Sequence, residues 1–434
     1  MNIFEHLESE VRSYCRAFPT VLRRAQGSFV YDESGREYLD FFAGAGTLNY
    51  GHNNPVIKQA VIEYLQQDGI LHALDLMTVA KREFLETFEH CILKPRGLDY
   101  KIQFTGPTGT NAVEAALKLA RKVKGRTNVI SFTNGYHGLS AGALAATGNR
   151  HFRTEQFLNR LNVSFMPFDG YLGENLDTLA YLRRVLKDNS SGTDLPAAVI
   201  LETVQAEGGV NVARAEWLQG LAQICREFDI LLIADDIQVG NGRTGSFFSF
   251  EAAGIRPDMV VLSKAIGGIG LPMSLVLINR EIDNWKPAEH TGTFRGNNLA
   301  FVAAKTAIQQ YWSNEDFSRE IQRKETLLRK GLEQIAARHR DLNLKVRGRG
   351  LIYGIGLPEP SLAKAVSRES FKRGLIIELA GSDDQVVKFL PPLTVQDAEL
   401  QKGLEIVSSS LDQALADRRP AGIPVSAEAK KLVA

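Results

Sequence analysis

Four side chains of this 434-residue chain could do chemistry if the fold brings them together: Glu202, Asp235, Asp236 and Lys264 each stand at the end of an apolar run. A lysine amine removed from water can bond covalently to a carbonyl carbon, and a fixed carboxylate can hold a proton on a nearby ring nitrogen. The stretch "LSKAIGGIGLP" (262–272) sets Lys264 a few residues before Gly267, Gly268 and Gly270, small residues that allow close approach of backbone to a ligand. Taken singly, each of the four also fits a solvated strand end. As a set they point to a site.

A second stretch supplies what the first lacks. "FTGPTGTNAVEAALKLARK" (104–122) runs through Gly106, Pro107 and Gly109 into a helical pattern whose apolar face is Ala112, Val113, Ala116, Leu117 and Ala120, with Thr110 or Asn111 as cap. Free N–H groups at such a start can cradle a phosphate. No Gly-Lys-Ser/Thr follows, so this is not a P-loop. "FAGAGTLNYG" (42–51) comes nearest to a dinucleotide fingerprint, but Asn49 replaces the third glycine. A phosphate cradle, a strand-end lysine and a carboxylate for a ring nitrogen together suit pyridoxal 5'-phosphate.

The elements that must position these residues are apolar, β-branched runs at 128–133, 197–204, 230–237, 259–264 and 274–279, separated mostly by stretches long enough for helices. That alternation predicts an α/β fold with a mainly parallel sheet covered on both faces, whose chemistry collects at the carboxyl ends of its strands. After residue 310 a long charged amphipathic helix (315–340) and short strands around 346–357 and 374–379 predict a smaller α+β unit. The expected division is residues 1–55, with a hairpin at 29–41, packing on the small unit; a large cofactor-binding domain at 56–310; the small domain at 311–415; and a mobile tail at 416–434 rich in charge, Pro and Gly.

Charge excludes several partners. The chain carries 51 basic and 50 acidic residues, a formal net charge of +1, so no field draws it to nucleic acid or an anionic membrane. No apolar run reaches the ~20 residues that span a bilayer, and the N-terminus is amphipathic rather than a secretory signal. Cys15, Cys91 and Cys225 lack metal-ligand spacing and suit a reducing, cytoplasmic setting, with no metal expected.

The order and spacing of these motifs resemble the class III (ornithine/GABA type) aminotransferases, pyridoxal-phosphate enzymes of fold type I, over roughly residues 20 to 410. "ILLIADDIQVGNGRTG", "LSKAIGGIGLP" and "HTGTFRGNN" are similar to the family's acid, lysine and H-x-x-T-F-x-G-N segments. The resemblance implies a large domain with a seven-stranded sheet, Lys264 as Schiff-base lysine and proton shuttle, Asp235 on the ring nitrogen, and Gln238 on the phenolic oxygen. It further implies Gly109 and Thr110 on the phosphate, Tyr136 stacked on the ring, and Glu202 beside the cofactor. Thr293 would reach the phosphate of a neighbouring subunit, hence a homodimer or dimer of dimers. Glu207 matches a gate glutamate beside the substrate carboxylate.

Three departures stand out. Ala206 precedes the gate where the family commonly has glycine, Asp236 replaces the commoner Glu, and Lys388 in "VVKFLPPLTV" stands where many members have a carboxylate-clamping arginine. A lysine pairs as a point charge and not as a fork, which makes Arg295 in "TFRGN" a second candidate clamp. Longer stretches, among them "EVRSYCRAFPTV" and "EHTGTFRGN", resemble the diaminobutyrate:2-oxoglutarate branch, which moves the amino group of glutamate to aspartate 4-semialdehyde in ectoine biosynthesis. Asn241 and Ala73 depart from that branch and leave room for a relative in siderophore or peptide synthesis. A glutamate-semialdehyde-type aminomutase would keep the same cofactor residues, whereas a cofactor-free scaffold would not need Lys264.

Overall fold

The computed structural model describes residues 2–154, 162–173 and 176–418. Its centre is a seven-stranded sheet: β1 (Tyr100–Phe104), β2 (Val129–Phe132), β3 (Val163–Met166), β4 (Ala198–Leu201), β5 (Leu231–Asp235), β6 (Met259–Leu262) and β7 (Leu275–Asn279), in the order β1-β7-β6-β5-β4-β2-β3. β7 runs antiparallel to both its neighbours and every other pairing is parallel. Every residue of β2, β4, β5 and β6 is buried, as strands covered on both faces require. The apolar runs announced five of these strands and the end of β1. β3 escaped because it lies at the sheet edge, with only Met166 fully buried.

The helix at Gly109–Lys124 covers one face with Ala112, Val113, Ala116, Leu117 and Ala120, and Gly125 in the left-handed region ends it. It starts earlier than the sequence suggested. Thr108 is the cap, and its backbone N–H and hydroxyl both donate to Asn111 Oδ1, at 3.3 and 2.7 Å.

Two smaller sheets flank the large one. Leu22–Gln26, Phe29–Asp32 and Glu37–Asp40 form an antiparallel sheet, including the hairpin expected at 29–41, and Leu375–Ile376 joins its edge in parallel with Leu39–Asp40. Lys345–Arg349, Ile352–Gly356, Val386–Phe389 and Glu378–Ala380 make a second antiparallel sheet in that order. The helix Asp316–Arg338 buries Ile321, Leu328, Leu332 and Ile335 and leaves its other face charged and solvated. The tail expected to be mobile lies, from residue 419 on, outside the described residues.

Arg243 ties these parts together. Fully buried, it donates to the carbonyls of Leu351 (2.9 Å) and Pro391 (2.6 Å) and to Asn49 Oδ1 (2.6 Å), so one guanidinium links three distant segments. Among the described residues no helix is long and apolar enough to cross a membrane.

Candidate active site

Parallel register brings the strand-end groups side by side. Ala234 pairs with Leu201 and Asp235 with Val261, so Glu202, Asp235 and Lys264 emerge together at the carboxyl edge of the sheet. They line one cavity of about 310 Å³ with Gly109, Thr110, Tyr136, Glu207 and Gln238. Eight of the expected site residues therefore meet in one place, and three do not line it. Lys388 is fully buried behind Glu207. Thr293 is exposed, and Arg295 sits in the same outlying loop, facing Asp75 at 3.9 Å and donating to Thr291 Oγ1 at 3.2 Å.

Lys264 opens a short helical turn with φ +54°, a left-handed backbone that an L-residue adopts only at a cost. Its Nζ donates to the Ala45 carbonyl at 2.9 Å. Burial pushes the ammonium below its ordinary range, opposed by the charge of Glu207. Gln238 Nε2 reaches the same carbonyl at 2.8 Å. Ala45 can present that oxygen because residues 43 to 46 all take positive φ, a path that the two glycines of "AGAG" ease. From the sequence this segment reads as an incomplete dinucleotide fingerprint, with no role for the Ala45 carbonyl.

Asp235 is held by His137, whose Nδ1 lies 2.7 Å from Oδ2, and by the Ile237 N–H at 3.2 Å from Oδ1. His137 is not among the site residues expected from the sequence. Its place directly after Tyr136 in "NGYHG" was the available signal. Glu202 accepts the Tyr136 N–H at 2.9 Å, and burial pushes its carboxyl up to about 8. Burial thereby favours its protonated form, which can donate a hydrogen bond.

Glu207 accepts from Lys388 Nζ at 2.7 Å and from Gln238 Nε2 at 3.1 Å. Burial works against its charge, but Lys388 and then Lys264 outweigh burial and hold its carboxyl below the usual range. Glu378, which sequence reasoning missed, stands 3.0 Å from the same ammonium. That contact is close enough for an ion pair but poorly angled for a hydrogen bond, and Glu378 Oε1 has no hydrogen-bond partner.

The cavity suits a phosphorylated aromatic aldehyde. A side chain at Gly109 would bring Cβ within 2.8 Å of Ile237 Cδ1, so the helix start presents bare backbone there. The buried Gln238 Oε1 and His137 Nε2 lack partners, as polar atoms awaiting a ligand do. Lys264 and the Asp235 carboxylate share the cavity with that cradle.

The class-III aminotransferase family model matches residues 12–411. The chain belongs to this family. It is 60% identical over 418 residues to a diaminobutyrate–2-oxoglutarate transaminase of Wolinella succinogenes, covering 96% of this chain and 97% of that one. It is 58% identical over 422 residues to the protein of the same name from Bordetella parapertussis, covering 97% of each. Among solved structures, an ornithine aminotransferase of Toxoplasma gondii with pyridoxal phosphate partly occupying its active site superposes with a TM-score of 0.82 at 25% identity, over 96% of this chain and 94% of that one. This class-III aminotransferase uses pyridoxal phosphate, and its fold is the mainly parallel α/β architecture of those neighbours.

Proposed function

We propose that this chain is a diaminobutyrate:2-oxoglutarate aminotransferase, which moves the amino group of L-glutamate to L-aspartate 4-semialdehyde and yields L-2,4-diaminobutyrate and 2-oxoglutarate. The observation that carries the reading is the Glu207–Lys388 ion pair, whose carboxylate lines the cavity, and the relatives of that name support it. In one half-reaction the reacting amine sits next to the substrate α-carboxylate; in the other it is at the far end. A cavity that serves both needs a cation it can hide, and Glu207 hides Lys388.

Bound pyridoxal phosphate supplies an aldehyde that takes up the amino group and a ring that accepts the electron pair left at the substrate carbon. Lys264 Nζ would hold the cofactor and carry a proton to and from that carbon, aided by burial that favours its neutral form. Asp235, oriented by His137, keeps a proton on the ring nitrogen. Around the cavity these residues line, Gln238 would meet the phenolic oxygen, Gly109 and Thr110 would bind phosphate, Glu202 would donate beside the ring, and Tyr136 would cover its face and exclude water.

A cytoplasmic homodimer, or a dimer of dimers, completes the reading, with Thr293 offered to the neighbouring phosphate. Leu76, Met77 and Phe294 lie 64, 99 and 68% exposed around that loop, an apolar group suited to burial by a second copy. Ectoine biosynthesis is the setting implied by the sequence stretches quoted above. We divide the chain at 55 and 310, since residues 1–55 share a sheet with the segment after 310 through Leu39 and Leu375. The test is product formation: purified enzyme given glutamate and aspartate 4-semialdehyde should release diaminobutyrate and 2-oxoglutarate in equal amounts. Faster turnover of ornithine or N-acetylornithine would contradict the assignment.

A further inference from the structure

Lys388 and Glu378 stand directly opposite each other on neighbouring antiparallel strands, which places their side chains on one face of the sheet. The Lys388 side chain is 0% exposed and that of Glu378 5%, while Glu207 is 27% exposed and lines the cavity. One buried ammonium thus faces two carboxylates. Lys264 is the other cation nearby, but its ammonium is turned onto the Ala45 carbonyl and is assigned to the cofactor.

The charges do not balance. A single buried pair of Glu207 with Lys388 would present a neutral wall to the cavity. Glu378 takes part of the charge of Lys388 from behind and leaves Glu207, the member that reaches the cavity, with uncompensated negative charge. Glu378 itself does not line the cavity.

We propose that Glu378 is a specificity-determining, positioning residue, which acts through Lys388 to make Glu207 a receptor for the α-ammonium of a diamino acid reacting at its far end. The inference rests on the substrate class proposed above and deepens it. In 2,4-diaminobutyrate the reacting amine enters at Lys264, and the α-ammonium lies toward the cavity wall where Glu207 waits. An ω-amino acid without that α-ammonium, such as 4-aminobutyrate, gains nothing from the surplus charge. Glutamate, whose α-carboxylate must displace Glu207 from Lys388, is opposed by Glu378.

Burial pushes the Glu378 carboxyl up to about 7, with Lys388 pulling the other way, so the side chain is ionised in mildly alkaline solution. The test is single-turnover kinetics of the cofactor-loaded full chain at mildly alkaline pH, with diaminobutyrate, 4-aminobutyrate and glutamate offered separately to wild type and to Glu378→Gln. The selectivity for diaminobutyrate over 4-aminobutyrate should fall about tenfold, and the KM for glutamate should stay the same or fall. Glu378→Asp, which keeps the charge, should restore most of the selectivity. Glu207→Gln should reproduce the loss, and it provides the test if Glu378→Gln does not fold.

Equal losses on both amines, or an unmoved ratio in a wild type that prefers diaminobutyrate, would overturn this inference alone. A wild type that ignores diaminobutyrate would overturn the substrate reading and this inference with it.

Discussion

His137 Nδ1 lies 2.7 Å from Asp235 Oδ2, with both side chains almost wholly buried at the carboxyl edge of the sheet. Burial disfavours a charged imidazole, but the hydrogen bond and charge of Asp235 outweigh it and raise the His137 pKa. The ring thereby fixes the carboxylate that would face the cofactor nitrogen. Replacing the ring by His137→Phe leaves a buried carboxylate with one partner fewer, at a cost of about 1.5–3 kcal/mol. Cofactor affinity should fall about 10- to 100-fold, measured by equilibrium dialysis. An unchanged affinity would remove His137 from the site.

Lys264 sits at φ +54°. Lys264→Ala should abolish turnover by several orders of magnitude while the chain still folds. Lys264→Gly should be equally inactive yet more stable than the alanine variant by ~1 kcal/mol, since glycine adopts that backbone freely. Both variants lack the amine, so their difference in urea midpoint reports the backbone alone. A glycine variant less stable than the alanine one would show that the turn is unstrained.

Without cofactor, stability should fall as pH rises from about 5 to about 8.5. Burial raises the carboxyls of Glu202 to about 8, and of Asp236 and Glu378 to about 7. The native state then binds more protons than the unfolded chain between the ordinary carboxylate range and pH 8. The stabilisation is complete below the unfolded values and is lost as pH passes 7 to 8. His137, also raised, acts in the same direction. Glu207, held low, affects stability only in more acidic solution. Denaturant midpoints at the two ends of the window give the sign, and Glu202→Gln should flatten the slope. A midpoint that climbs with pH would contradict the picture.

Lys388→Ala should slow the glutamate half-reaction more than the diaminobutyrate one, because only glutamate needs the uncovered ammonium for its α-carboxylate. Glu207→Ala should relax the preference between the two. Single-turnover rates separate these outcomes. Equal losses in both half-reactions for Lys388→Ala would move the clamp elsewhere, with Arg295 the first residue to examine.

Much of this site was legible because strand ends, glycines and one lysine follow simple rules of burial and backbone freedom. β2, β4, β5 and β6 are buried throughout and mostly apolar, so their ends, and with them Glu202, Asp235 and Lys264, could be located from the chain alone. What escaped depends on partners distant in sequence. Glu378 reads as an ordinary strand glutamate until cross-strand register sets it against Lys388. The Ala45 carbonyl matters only because four consecutive residues take positive φ, and no side-chain chemistry announces it. His137 looked like a loop residue because its partner Asp235 is 98 positions away.

The most direct measurement is the fate of heavy nitrogen from α-labelled glutamate, followed by mass spectrometry and nuclear magnetic resonance in the presence of unlabelled aspartate 4-semialdehyde. The cavity described above, with Lys264 and a cation that Glu207 can uncover, should place the label at the 4-position of diaminobutyrate and nowhere else. Unlabelled diaminobutyrate would contradict transfer from glutamate and point to an enzyme that relocates its substrate's own nitrogen, and label at another carbon would contradict transfer to the 4-position.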